Sequence, residues 1–282
     1  MTSATLGAVL KAAAQRIGAV DARVLLCHVI ERDSAYAAAH PEASIGAAEA
    51  ARLQNLVERR AAGEPVAYLT GRREFYGRSF HVNPAVLIPR PETELLVELA
   101  LERLPRDAAA WVLDLGTGSG CVAITIASER SRSKILATDQ SIEALTVARR
   151  NAGDLAVDNV ALLQSDWFSC VPRDARFDVI VANPPYVAAG DPHVDQGDLR
   201  FEPRIALTAG ADGLNAIRTI VRDADRHLAS GGWLLLEHGH AQAEAVRELL
   251  RKAGYEAVFS TADLAGIERV SGARLTVAVT DR

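Results

Sequence analysis

Apolar residues recur at helical spacing through the first part of the chain: Leu6, Val9, Leu10, Ala13 and Ile17, then Val24, Leu25, Val29 and Ile30, then Leu53, Leu56 and Val57. Residues three and four apart share one face of a helix, so residues 1 to about 65 predict a small bundle of three or four short helices with Ala-rich and charged outer faces. Gly63-Glu64-Pro65 breaks this pattern. Glu74 to Val82 carries aromatic-rich runs on either side of Gly77, which predicts a β-hairpin. Pro89-Arg90-Pro91 stops that element. Pro91 suits the first position of a new helix, predicted over 92–103, whose early Glu92 and Glu94 complement its positive end.

From residue 110 the period changes. Short apolar runs at 111–115, 134–138, 160–164, 177–182 and 233–237 are bounded by turn residues, with helical patterns between several of them, as at 141–151 and 214–228. Alternating strands and helices imply an α/β fold with a mostly parallel, doubly wound sheet. After a helix near 241–253, the runs 256–260 and 274–279 predict two successive strands with no helix between them. The pattern divides the chain into a helical domain over 1–72, a hairpin connector over 73–90 and an α/β domain over 91–282.

Composition narrows the classes. The 282 residues are 49% hydrophobic, ample for about two packed domains and too apolar for a disordered chain. With 31 Lys and Arg against 36 Asp and Glu, the net charge is -5, so no global positive field exists to hold a polyanion. Direct nucleic-acid binding is not expected. Cys27, Cys121 and Cys170 lie far apart with no C-x-x-C pair, which suggests neither a disulfide framework nor a zinc cluster and fits a reducing, cytoplasmic setting. The N-terminus has no basic stretch ahead of its short apolar run, and no run approaches the ~20 residues that span a bilayer. No membrane association is expected.

Candidate chemistry sits where strands should end. Asp114-Leu-Gly-Thr-Gly-Ser-Gly120 falls at the turn from the first strand of the sheet into a helix, where glycines let a ligand approach the backbone and a helix start aims free N–H groups at it. The spacing is G-x-G-x-G, with Cys121 where a dinucleotide fingerprint would place its third glycine, so an NAD site is disfavoured. Gly116, Thr117, Gly118, Ser119 and Gly120 are the candidate cradle. Asp139 ends the second strand, where a carboxylate can accept both ribose hydroxyls of a nucleotide-derived cofactor. Asp166 and Trp167 follow the third strand and suit an adenine, the acid taking its amino group and the ring covering its face.

Asn183-Pro184-Pro185-Tyr186 follows the fourth strand. The prolines fix the backbone and remove two donors, leaving an array of acceptors. The Asn183 side-chain carbonyl and the Pro184 backbone carbonyl can hold the two hydrogens of a planar NH2 group, with the Tyr186 ring over its face. That suits an amide or an exocyclic amine whose nitrogen must be oriented to act as a nucleophile. The His238 and His240 pair, at i, i+2 with no further ligands nearby, is a poor metal site, and no metal is expected.

With these residues in place the chain resembles an S-adenosylmethionine-dependent methyltransferase of the N-P-P-Y type and, more narrowly, the PrmC/HemK family of release factor glutamine methyltransferases. The resemblance spans almost the whole chain: G-E-P-V-A-Y-L-T-G at 63–71, R-E-F-Y at 73–76, L-I-P-R-P-E-T-E at 87–94, the glycine loop, S-D-W-F at 165–168, N-P-P-Y and F-E-P at 201–203. D-L-G-x-G-x-G and N-P-P-Y are widely shared, and the G-E-P and I-P-R-P-E-T-E segments narrow the family. The C-terminal tail is longer and more β-like than the family pattern.

The resemblance implies a Rossmann-like domain with a seven-stranded, mostly parallel sheet behind a helical substrate-docking domain. It implies that Gly116 to Gly120, Asp139, Trp167 and Asn183 bind S-adenosyl-L-methionine and that Asn183 to Tyr186 hold the substrate. The implied substrate is the glutamine of the Gly-Gly-Gln loop of class I peptide chain release factors. The implied products are N5-methylglutamine and S-adenosyl-L-homocysteine, and a monomer is expected. Arg90, Glu92, Glu94 and Glu202 are read either as lining the entrance or as local caps. The rival enzyme readings are DNA adenine methylation, which needs a basic cleft this acidic chain does not advertise, and glutamine methylation of a ribosomal protein. A binding protein on a methyltransferase scaffold would be expected to carry a damaged glycine loop or N-P-P-Y segment, and both are intact.

Overall fold

The computed structural model describes residues 4–107 and 109–276. The chain falls into two compact units, the first formed by residues 1–72 with 195–201, the second by residues 73–194 with 202–282. Among the described residues the first unit holds five α-helices: α1 (Leu6–Ile17), α2 (Ala19–Ile30), α3 (Ser34–Ala39), α4 (Ala47–Ala61) and the short α5 (Val66–Thr70). Thr5 and Asp33 start α1 and α3 by accepting backbone N–H groups of Ala8 and Tyr36, the usual work of an N-cap. Leu6, Leu25, Val29, Leu53, Leu56 and Val57 interlock in this unit's core, as the helical spacing predicts; Leu26 joins them, whereas Val24, expected on the same face, is 42% exposed. Residues 195–201 join this unit through Asp198, which accepts from Arg60 Nη1 at 2.8 Å, and through Arg200, which donates to the Ala62 carbonyl.

The second unit opens on the expected hairpin, β1 (Arg72–Phe75) and β2 (Arg78–His81). A single 3-10 turn at Pro91–Thr93 leads into α6 (Glu94–Arg103), so the predicted 92–103 helix is α-helical only from Glu94. Then β3 (Trp111–Leu115), α7 (Cys121–Glu129), β4 (Lys134–Asp139), α8 (Ile142–Asp154), β5 (Val160–Gln164) and β6 (Phe177–Ala182) alternate. Next come α9 (Asn215–Asp223), β7 (Leu228–Glu237), α10 (Ala243–Lys252), β8 (Glu256–Ala262) and β9 (Glu268–Arg274). The sheet has seven strands in the order β5-β4-β3-β6-β7-β9-β8, all parallel from β5 to β7 with β9 antiparallel to both its neighbours.

Side-chain alternation along the strands explains the layers. Val112, Val179, Val181 and Leu235 face the core packed by α6, α7 and the hairpin, whereas Leu113, Ile180, Leu234 and Leu236 face α9 and α10. Both faces are covered, which is why these strands read as near-continuous apolar runs.

Two boundaries differ from the sequence reading. The predicted 214–228 helix ends at Asp223 and is followed by a 3-10 turn at Ala224–Arg226, and β7 already begins at Leu228. The predicted apolar run starts only at 233; a Cβ at Gly232 would lie 3.0 Å from the carbonyl oxygens of Ala229 and Phe177, so the chain passes too close there for a side chain and the strand's first half carries no apolar signal. The second of the two successive strands is β9 at Glu268–Arg274, which meets the predicted 274–279 run at Arg274; positions 277–279 lie outside the described residues. Gly272 there fits between Leu235 and Phe259, each 2.6 Å from where a Cβ would sit, so the strand passes where a side chain would not fit.

Candidate active site

Reading outward from β3, the chain goes to β4 and β5 on one side, then returns to place β6 on the other. That reversal is the position at which doubly wound sheets open a crevice beyond their carboxyl ends. The glycine loop after β3 and the N-P-P-Y segment after β6 therefore meet there. They line a cleft, partly open to solvent, together with Asp139, Asp166, Trp167, Arg90 and Thr93.

The glycine loop is held from below. Thr117 N donates to the Thr138 carbonyl at 2.8 Å, the Thr117 hydroxyl donates to Asp114 Oδ2 at 2.7 Å, and the buried Asn151 donates to the Ser119 carbonyl at 2.8 Å. Gly116, Gly118 and Gly120 all have positive φ, the left-handed region that disfavours other residues. Their surroundings differ. A Cβ on Gly118 would meet no atom within 4 Å, whereas one on Gly120 would lie 2.7 Å from Ile124 Cδ1 and 3.1 Å from Ala148 Cβ.

Asp139 lines the cleft at the end of β4. Its Oδ2 accepts from Gly118 N and its Oδ1 from Ser141 N, both at 2.9 Å. Burial raises its pKa, against the pull of those backbone donors. Burial also pushes the Asp114 carboxyl up to about 7, opposed by the Thr117 hydroxyl. Trp167 sits at φ 48 and lays its ring edge beside Gly116, 3.6 Å from where a Cβ would be, while Asp166 is exposed at the rim.

Of the N-P-P-Y residues, Asn183 and Pro185 line the cleft; Pro184 is buried and Tyr186 packs beside Gly213 and Gly239. Asn183 Nδ2 donates to Thr93 Oγ1 at 3.1 Å, which leaves Oδ1 as the side chain's acceptor. Burial, with the Glu237 carboxylate nearby, pushes the Tyr186 phenol up to about 12, so it stays protonated.

The four residues left open in the sequence separate cleanly. Arg90 lines the cleft and is paired with the fully buried Glu202 carboxylate, whose Oε2 also accepts from Ile88 N at 3.0 Å. Glu94 accepts from Tyr76 N at 2.8 Å, a structural tie to the hairpin, and Glu92 is exposed. His238 is buried, with Nε2 2.8 Å from the Ser271 hydroxyl and Nδ1 3.0 Å from the Gly239 carbonyl. Two buried polar residues beside Asn183 escaped the sequence reading: Thr93, inside the quoted I-P-R-P-E-T-E run, and Glu237, at the end of a strand predicted for its apolar residues. Only the meeting of β6, β7 and the 3-10 turn reveals them.

This fold and cleft define a class I S-adenosylmethionine-dependent methyltransferase. Residues 92–198 match the family described as methyltransferase small domain, and residues 5–71 match the PrmC N-terminal domain. The chain is 52% identical to the release factor glutamine methyltransferase of Burkholderia pseudomallei over 93% of this chain and 94% of that one. It is 49% identical to the enzyme of the same name from Xylella fastidiosa over 95% and 97%. The chain belongs to the release factor glutamine methyltransferase family. Among solved structures, the T. thermophilus 16S rRNA N2 G1207 methyltransferase, determined with AdoMet and guanosine, shares the fold at 22% identity and a TM-score of 0.56, over 72% of this chain and 49% of that one.

The cleft suits S-adenosylmethionine on its own chemistry. Gly118 presents bare backbone to open space, Asp139 offers a carboxylate at the end of β4, and among the described residues the Ser119 hydroxyl, buried in the cleft wall beside the Cys121 thiol, has no hydrogen-bond partner of good geometry.

Proposed function

We propose that this chain methylates the side-chain amide nitrogen of the glutamine in the Gly-Gly-Gln loop of class I peptide chain release factors, and so modulates translation termination. The observation that carries the reading is the commitment of Asn183 Nδ2 to Thr93, which leaves an amide oxygen as acceptor in a cleft that also holds the glycine loop and Asp139. Bound S-adenosylmethionine supplies an electrophilic methyl group. Gly116 to Gly120, Asp139, Asp166 and Trp167 hold and orient it.

Asn183 Oδ1 and the Pro184 carbonyl take the two hydrogens of the glutamine amide, and the Tyr186 ring covers its face. So held, the amide nitrogen would accept the methyl group that bound S-adenosylmethionine would supply, the sulfur keeping the electron pair of its bond, and would then release a proton to solvent. Orientation of this kind contributes up to ~7–11 kcal/mol in well-aligned reactions, and no strong general base is needed because the alkylated nitrogen is acidic.

In this reading residues 1–72 dock the release factor, 73–90 connect, and 91–282 carry the chemistry. The enzyme works as a cytoplasmic monomer without nucleic acid. The test is methyl transfer to a purified release factor and to its Gln→Glu version at the Gly-Gly-Gln position. The reading expects one methyl on the first and none on the second, and equal labelling of both refutes it.

A further inference from the structure

We propose that Thr93 and Glu237 form a positioning pair that fixes which way the Asn183 side-chain amide faces, so that Oδ1 rather than Nδ2 is offered to the substrate nitrogen. The inference rests on the substrate reading above. An asparagine amide has nearly the same shape in either orientation, but the two present opposite polarity. With Nδ2 toward the cleft, a donor would confront the two donors of a substrate NH2 group.

Thr93 alone does not choose between them, because a hydroxyl both donates and accepts. Glu237 supplies the missing polarity. An ionised carboxylate only accepts; the Thr93 hydroxyl and the Asn183 side chain both stabilise it, so it favours Nδ2 on its side directly, and a Thr93 hydroxyl whose proton is given to Glu237 has only lone pairs left for Asn183 Nδ2. Both Thr93 and Glu237 are 2% exposed, so water does not reorganise the chain of contacts.

The carboxylate is retained at a cost that packing does not explain. Among the described residues, Glu237 Oε2 is buried with no hydrogen-bond partner of good geometry, and burial raises the pKa of Glu237 to about 7. The charged and titratable groups facing it are Glu92 from the 3-10 turn, Arg269 from β9, Tyr186 from the segment after β6, and Cys121 from the start of α7. Once protonated, Glu237 can donate as well as accept, and the polarity imposed on Thr93 is lost. Turnover should therefore decline as pH falls through the neutral range, with a limb that belongs to this carboxyl.

The variants that separate positioning from architecture are Thr93→Val and Glu237→Gln, each close in shape to the original, with Thr93→Ser as the rescue. The expected result is kcat lowered at least about tenfold in Thr93→Val and Glu237→Gln, with S-adenosylmethionine affinity within about twofold of wild type. The double variant should be no slower than the slower single, Thr93→Ser should recover most activity, and Glu237→Gln should lose the acidic limb of the kcat profile. Unchanged kcat, or additive losses that track thermal stability with the pH profile intact, overturns the proposal.

A second readout needs no turnover. The Asn183 side-chain NH2 resonances, assigned by their absence in Asn183→Ala, should shift in both Thr93→Val and Glu237→Gln, and unmoved resonances overturn the pair. If wild type leaves release factor unmethylated, the substrate reading fails, and these resonances still decide the orientation claim.

Discussion

Gly118 and Gly120 lie two residues apart in one loop, both with positive φ, and alanine at each should fail for opposite reasons. At Gly118 (φ 54) the added methyl meets no protein atom within 4 Å, so its structural cost is the left-handed backbone alone, roughly 1–2 kcal/mol. The added methyl stands at the cleft lining, which the proposed function assigns to S-adenosylmethionine, so the expected damage is to affinity: a rise of about tenfold or more in the S-adenosylmethionine dissociation constant, or ~1.4 kcal/mol and above. At Gly120 (φ 82) the methyl runs into Ile124 and Ala148 at 2.7 and 3.1 Å. Adding an overpacking cost of about 1–3 kcal/mol to the backbone cost gives a stability loss of about 2–5 kcal/mol. Urea unfolding and calorimetric titration of both variants read the two effects separately. A Gly118→Ala protein that binds S-adenosylmethionine as wild type does, or a Gly120→Ala protein as stable as wild type, refutes the assignment of these two faces of the loop.

Three further outcomes follow from the same geometry. Asn183→Ala should abolish methyl transfer while leaving the fold and cofactor affinity largely intact, read by activity and titration on one preparation; normal methylation by the folded variant sinks the pocket chemistry. Arg90→Ala deprives the buried Glu202 carboxylate of its guanidinium, and a loss of roughly 2–4 kcal/mol in urea is expected, reduced from the fully buried case because the Arg90 side chain is 30% exposed. Asp114 is raised in the fold from 3.8 to about 7, so between those values the folded state binds the extra proton and its contribution to stability falls as pH rises. Asp114→Asn should remove that decline, up to about 1.4 kcal/mol per pH unit, and an unchanged pH dependence of the urea midpoint counts against it.

The parallel strands, the helices of the first unit and the placement of the glycine loop and N-P-P-Y were legible because each depends on local pattern: apolar runs, helical spacing, and turn residues at strand ends. What the sequence hid depends on contacts between distant segments. Residues 195–201 belong with the helices because Asp198 and Arg200 meet Arg60 and Ala62, ion-pair and backbone contacts that leave no periodic trace. Strand β9 uses Ser271 and Gly272, small residues needed between β7 and β8 that carry no apolar signal of a strand. Thr93 and Glu237 went unremarked for the same reason. A threonine in a turn and a glutamate at a strand end look like surface residues until three elements close over them.

The central claim is tested most directly by intact-peptide mass spectrometry of an unmethylated release factor incubated with this protein and S-adenosylmethionine, with a ribosomal protein and duplex DNA in parallel. The account predicts a gain of one methyl group on the Gly-Gly-Gln glutamine and none on the other two. Methyl transfer to the ribosomal protein or to DNA, with the release factor unchanged, would contradict it.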